Sequence, residues 1–280
     1  NPGTPVVAGS VGRFQLQFQA GELGIAVGGG FRIYTDSDSD WGTAQCVDPS
    51  AAEYCTVQSP QGVSISVRTT GVKSLRIAVA GRALKAGETI TLSFGDTSGG
   101  GPGTRAQTFV EEQRFFWVDV DADGNENWQT LDDSPYLQII ADETVKLCVT
   151  IPSMIVVDDE YRVLLKAEDR WGNPVESFRG TVNFQCDGIT FPADAVTFSE
   201  ADAGSCWIDG FKSERIGVLR LSATVVDSSL QGQSNPQICT KNAGEHTLKW
   251  ADPHGGQLVL NSKIAGFFRY ARDVSGVQFV

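Results

Sequence analysis

The sequence predicts a mainly β protein: two consecutive β-sandwiches, the second immunoglobulin-like, followed by a short strand–helix–strand segment of α/β type. Three observations predict it. Apolar and polar residues alternate with period two over many short runs. Clusters of Gly, Ser and Asp punctuate those runs at close spacing. A three-to-four residue apolar spacing, the mark of a helix, occurs only near the end of the chain.

The first unit is expected over residues 1–141. Arg13-Phe14-Gln15-Leu16-Gln17-Phe18-Gln19 alternates strictly, as do Val63 to Arg68 and Thr89 to Phe94, and Leu75 to Val79 is similar. Between them lie Gly28-Gly29-Gly30, the acidic run Asp36 to Asp40, and Gly99-Gly100-Gly101-Pro102-Gly103. Short strands separated by turn residues read as a sandwich. The second unit, 142–241, takes its strands from Val145–Val149, Tyr161–Ala167, Thr181–Cys186, Ser205–Ile208, Val218–Val226 and Gln237–Cys239. About a hundred residues with roughly seven strands is the size of an immunoglobulin-type sandwich. In the last segment, 242–280, Ile264, Phe267, Phe268, Ala271 and Val274 form one apolar helix face, and Val277–Val280 reads as a strand.

Composition narrows the function. The 280 residues carry a net charge of -12, with 20% charged and 41% hydrophobic. A strongly acidic chain lacks the basic face that phosphate backbones demand, so nucleic acid is not an expected partner. No apolar run approaches the ~20 residues of a helical membrane span. The chain opens Asn1-Pro2-Gly3 without methionine, which fits a removed export signal or a cut chain. Six cysteines, at 46, 55, 148, 186, 206 and 239, include no Cys-x-x-Cys pair. Disulfides in an oxidising compartment fit that pattern better than zinc. Chain proximity and topology suggest Cys46–Cys55, Cys186–Cys206 and Cys148–Cys239 among the 15 ways six cysteines can pair. The expected location is therefore extracellular or periplasmic.

Two acidic stretches have ligand-like spacing. Asp119, Asp121, Asp123 and Asn125, with Gly124 between the last two, match the first half of an EF-hand calcium loop. The bidentate glutamate such a loop needs at its twelfth position is Thr130 here. The competing reading is a polar β-hairpin turn, for which Asp-Gly is a strong indicator. The run Asp36, Asp38, Asp40 reads as a solvated loop. The glycine run 99–103 lacks the Gly-Lys-Ser/Thr ending of a phosphate cradle and reads as a flexible loop; Arg105 beside it is an anion-binding candidate. Trp41, Trp117, Trp128, Trp171 and Trp207 would supply carbohydrate platforms or core. With His246 and His254 the only histidines, no nucleophile–base set is readable.

Several longer segments occur together in a fixed order: Phe94 to Phe109, Ala167-Glu168-Asp169-Arg170-Trp171-Gly172-Asn173-Pro174, Gln233-Ser234-Asn235-Pro236, Trp250-Ala251-Asp252-Pro253-His254-Gly255, and Tyr270-Ala271-Arg272-Asp273-Val274. The chain resembles, over nearly its whole length, a large, mainly bacterial family. Its members place β-sandwich regions ahead of a PHP-type (polymerase and histidinol phosphatase) metal-dependent hydrolase barrel. The resemblance implies that 242–280 is the start of that barrel, with His254 and Asp252 from its first metal-binding strand. The family motif reads approximately Trp-Gly-Asp-Leu-His-Gly followed by Gln or His. Here Ala251, Pro253 and Gly256 depart from it, Gln257 is displaced by one position, and the barrel's later ligands are not in the chain. Glycine donates no ligand, and proline inside a strand removes a ladder hydrogen bond. A hydrolytic site of this class needs several ligands around its metals. The expectation is a non-catalytic, exported structural or assembly protein derived from such hydrolases, with another chain or further copies covering its tail. Two alternatives stand beside it. One is the N-terminal part of a metal-dependent, phosphoesterase-like hydrolase completed elsewhere. The other is a calcium- or carbohydrate-binding module.

Overall fold

The computed structural model describes residues 3–241 and the two strands His246–Lys249 and Val259–Ser262. The chain divides between Asp142 and Glu143 into two compact units. Both are β-sandwiches. Among the described residues one short 3-10 turn, Glu200–Asp202, is the sole helical element.

The first unit is built around a five-stranded antiparallel sheet. Its strands are, in order, Gln129–Thr130, Trp117–Asp121, Gly30–Tyr34, Ser74–Gly81 and Val63–Thr69. A three-stranded sheet orders Phe14–Gln19, Thr89–Phe94 and Cys55–Gln58, and another orders Val6–Val7, Tyr136–Ile140 and Glu111–Phe115. Alternation explains which face each strand buries. Phe18 is buried, Phe14 and Leu16 are half-buried, and Gln15, Gln17 and Gln19 are exposed. Phe18 stacks on Phe31 of the five-stranded sheet, with ring centroids 4.2 Å apart. That contact joins the inner faces of two sheets, as a sandwich requires. Ile77, Ile90, Leu92 and Leu84 fill the same core. Gly30 has no substitute here: a Cβ would lie 2.0 Å from the Ile77 carbonyl oxygen.

The second unit is immunoglobulin-like. One four-stranded sheet orders Lys146–Thr150, Glu160–Glu168, Ser205–Ser213 and Ile189–Thr190; the other orders Ala195–Thr197, Thr181–Gln185, Ser222–Val225 and Gln231–Gln233. A third sheet places Gln237–Thr240 between Met154–Val156, in parallel, and Gly217–Leu219. The expected strand Val218–Val226 is two strands in two sheets, because the chain crosses the core between buried Leu219 and Leu221. Phe211 is fully buried and meets the rings of Tyr161, Phe184 and Phe191.

Beyond residue 241, His246–Lys249 pairs antiparallel with Val259–Ser262. The expected helix Ile264–Val274, the strand Val277–Val280, and the metal candidates Asp252 and His254 lie outside the described residues.

Candidate functional site

The calcium-loop candidates sit on the turn of a hairpin. Asp119 pairs with Thr130 and Val120 with Gln129, so the strands Trp117–Asp121 and Gln129–Thr130 are antiparallel neighbours. Asp121 is fully buried and caps the turn. Its Oδ1 accepts the N–H groups of Gly124 (3.0 Å) and Asn125 (3.2 Å), and its Oδ2 accepts that of Glu126 (3.2 Å). Asp123 Oδ2 accepts from Asn125 Nδ2 at 2.8 Å, and Asn125 Oδ1 accepts the N–H of Asn127 at 2.9 Å. Asp119 turns toward the sheet instead: Oδ2 accepts Arg32 Nε and Oδ1 accepts Thr130 Oγ1, both at 2.6 Å. The four oxygen-bearing side chains therefore hold the turn and the sheet face. Among the described residues no cluster of three or more His, Cys, Asp or Glu has metal-binding geometry.

The same hairpin leads to a charged and aromatic face that the linear sequence conceals. Register places Arg68 opposite Arg76, Arg76 opposite Arg32, and Arg32 opposite Asp119, in one row across four strands. Alternation puts all of them on the face away from the core. Trp128 lies against this row, with the guanidinium carbons of Arg32 and Arg76 4.9 and 4.8 Å from its ring centroid. Both distances fall within cation–π range. Glu126 completes the group. Its carboxylate takes a bidentate pair from Arg76, at 2.7 and 3.3 Å, and a bond from Trp128 Nε1 at 3.0 Å. These donors hold the Glu126 carboxyl below its ordinary range, the Arg76 hydrogen bonds contributing most.

The structure brings together one of the three expected cysteine pairs. Cys46 and Cys55 do meet. The chain segments run parallel there, Gln45 N–H bonding to the Glu53 carbonyl (2.9 Å) and Cys55 N–H to the Gln45 carbonyl (2.8 Å). Cys46 and Cys55 are the next pair in that register. The Cys55 thiol hydrogen-bonds the Cys46 sulfur, lowering the Cys46 pKa and raising that of Cys55. The other two expected pairs are corrected. Cys186 lies at the Ser213 end of the Ser205–Ser213 strand, since Ile189 pairs with Ser213 and Arg215 pairs with Asp187. Cys206 lies at the other end, opposite Leu165. Seven residues of strand separate those ends, roughly 23 Å. Cys148 sits between core-facing Leu147 and Val149, so its side chain points outward, toward Thr150 Oγ1 at 3.9 Å. Cys239 points inward, its Sγ 3.8 Å from the Ser213 carbonyl. Burial pushes the thiol pKa values of Cys186 and Cys239 up, and that of Cys206 up to about 11.

The remaining candidates also have local structural partners. Asp169 is fully buried and accepts the N–H groups of Trp171 and Asn173, each at 2.9 Å, capping the Asp169–Asn173 turn. Glu168 pairs with Lys146 and Lys166 at 2.9 and 2.6 Å. The expected anion binder Arg105 faces Asp40 at 3.7 Å, and Asp36 faces Arg114 at 3.1 Å. The glycine run packs against a neighbouring loop: a Cβ on Gly99 or Gly101 would lie 2.3 Å from Pro49 Cβ or 2.6 Å from the Ala51 carbonyl. Of the tryptophans, Trp41 is core, edge-on to Phe116, whereas Trp171 and Trp207 are exposed and stacked with Arg170 and Arg162. A groove of about 680 Å³ in the first unit runs along Phe14–Gln19 and is floored by Phe116 and Val118.

Two carboxyls of the first unit make stability depend on acid. Glu88 is drawn down to about 2, chiefly by the Arg82 guanidinium, and Asp96 to about 2, chiefly by the Thr56 hydroxyl and the Ser98 N–H. Free carboxyls titrate near 4. A lowered folded-state pKa contributes stability that is complete above about pH 5 and is lost as pH falls toward 2. The urea midpoint of the first unit should therefore fall across that window, and fall less in Glu88→Gln. A midpoint that does not move with pH would contradict this.

No family model matches the chain, and no curated protein matches it. Solved structures do. The D00-D0 domain of Intimin is 9% identical, covering 74% of this chain and 99% of its own, with a TM-score of 0.31. The Streptococcus agalactiae AgI/II polypeptide BspA C terminal domain is 9% identical, covering 85% and 95%, with a TM-score of 0.31. Domains 4 and 5 of the S-layer protein SbsC are 11% identical, covering 45% and 65%, with a TM-score of 0.26. Likenesses at this level carry no inference about what the chain does.

Proposed function

We propose that this chain is an exported, non-catalytic structural or assembly protein, descended from the PHP-type hydrolase lineage its motifs resemble, whose tail is covered by another chain or a further copy. One observation carries the non-catalytic reading. Each buried carboxylate among the described residues, Asp96, Asp119, Asp121, Glu168 and Asp169, is tied to a backbone N–H, a hydroxyl or a cation of the chain itself. Buried acids used this way hold turns and sheets together; a general acid or a metal ligand must instead face its substrate or ion. The in-register thiols of Cys46 and Cys55 support export, because an oxidising compartment would join them.

The test uses the protein isolated from its native compartment without reductant. Peptide mapping should find Cys46 linked to Cys55, and a phosphomonoester assay with manganese or zinc should show no turnover. Six alkylatable thiols would overturn the export reading. Turnover abolished by His254→Ala would overturn the non-catalytic one and revive a hydrolase completed by another chain.

A further inference from the structure

The arginine row is costly for a structural feature. Like charges directly opposite on adjacent strands destabilise a sheet. Here two such contacts are consecutive, Arg68 with Arg76 and Arg76 with Arg32, in a chain with only 22 cations against 34 carboxylates. Asp119 offsets Arg32 from within the sheet. Arg76 is offset by Glu126, which reaches in from the hairpin loop and remains 62% exposed at its side chain. Glu126 adopts φ +65, a left-handed conformation that a non-glycine residue takes at some expense. Arg68 is exposed, makes no ion pair or hydrogen bond among the described residues, and still acts on the Glu126 carboxyl through its charge.

Glu126 thus occupies the place an outside carboxylate would take. Arg76 holds it in the planar fork that suits a carboxylate, the indole N–H of Trp128 closes it, and Arg68 stands opposite Arg76 on the next strand. The sheet beyond is a shelf of short side chains on the same face: Ser64 opposite Ala80 and Ser66 opposite Ala78. A flat shelf bearing hydroxyls, beside a half-buried tryptophan, fits a pyranose ring better than a peptide. A peptide needs a groove or a free strand edge; the free edge here, Val63–Thr69, carries Arg68 alone of the three arginines, while Arg76 and Arg32 stand on strands inside the sheet.

We propose that this face binds a carboxylate-bearing saccharide through Arg68, Arg76 and Trp128, with Glu126 as a built-in occupant that the ligand's carboxylate displaces. The assignment is independent of the export and lineage readings above. It distinguishes the face from a simple clamp on the hairpin, because a clamp weakens when Glu126 is changed while a blocked site opens.

Titration calorimetry of the full chain with hexagalacturonate at low salt tests it. The wild type should bind weakly. Glu126→Gln should bind about tenfold more tightly, since one charge-assisted competitor is removed. Arg68→Ala, an exposed substitution that leaves the fold intact by circular dichroism, should bind about tenfold more weakly than wild type. No binding by either wild type or Glu126→Gln would overturn the site. Equal binding of polyglutamate would overturn the saccharide assignment.

Discussion

Replacing Phe211 by alanine should lower the unfolding free energy of the second unit by about 3–5 kcal/mol, the range for deleting a buried aromatic ring. Phe211 is fully buried on the Ser205–Ser213 strand. Its ring lies edge-on to Phe184 at 5.2 Å and about 6 Å from Tyr161 and Phe191, so strands of both four-stranded sheets lose contacts at once. The site cannot collapse to fill the gap, because its neighbours are fixed by ladder pairing at both ends. Urea unfolding followed by near-ultraviolet circular dichroism would measure the change. A loss below about 1 kcal/mol would mean that this aromatic cluster is not the centre of the core.

Asp121→Ala should lower the stability of the first unit by about 2–4 kcal/mol, and by the same amount with or without saturating calcium. The substitution leaves the N–H groups of Gly124, Asn125 and Glu126 without their acceptor in a turn whose Gly124 is held at φ +79. Each such donor costs about 1–3 kcal/mol if left unpaired, moderated where water reaches it. Calcium would matter only if the Asp121 oxygens faced an ion, and here they face the backbone. A thermal shift with calcium in the wild type that disappears in Asp121→Ala would restore the calcium-loop reading. The turn also presents Glu126, so the substitution should disturb the arginine face as well.

These two residues show how unevenly the sequence exposes its own design. The strand Phe14–Gln19 was legible because alternation is local: three apolar residues on one side, three glutamines on the other. The turn over Asp169–Asn173 is local in the same way: Asp169 accepts the N–H groups two and four residues on. The cysteine partners were not legible. Cys46 and Cys55 are near in sequence and do meet, but Cys148 and Cys239 take opposite faces of their strands, and Cys186 and Cys206 opposite ends of one. Face and end depend on which strands become neighbours. Met154–Val156, Ala195–Thr197 and Gln231–Gln233 escaped notice because three residues are too few to display a period.

Arg32, Arg68 and Arg76 are the clearest case. Each is an unremarkable polar position in an alternating strand, separated from the others by 8 to 44 residues of chain. Trp128 read as one of several platform-or-core tryptophans, and Glu126 as part of a polar turn. A run of aromatic and basic residues at polar strand positions was the sole available hint, and such runs are common on exposed sheet faces.

The sequence by itself determined that the described part of this chain is built of β-strands, and, for its long alternating strands such as Phe14–Gln19, which side chains face a core. Those properties follow from period and turn chemistry, which act within a few residues. Only the tertiary structure decided which thiols meet, that Asp121 serves a turn, and that three arginines stand side by side, two of them against one tryptophan. Strand order and register set those contacts, and they arise from the packing of the two sandwiches as wholes, where a shift of one residue would send every side chain to the other face.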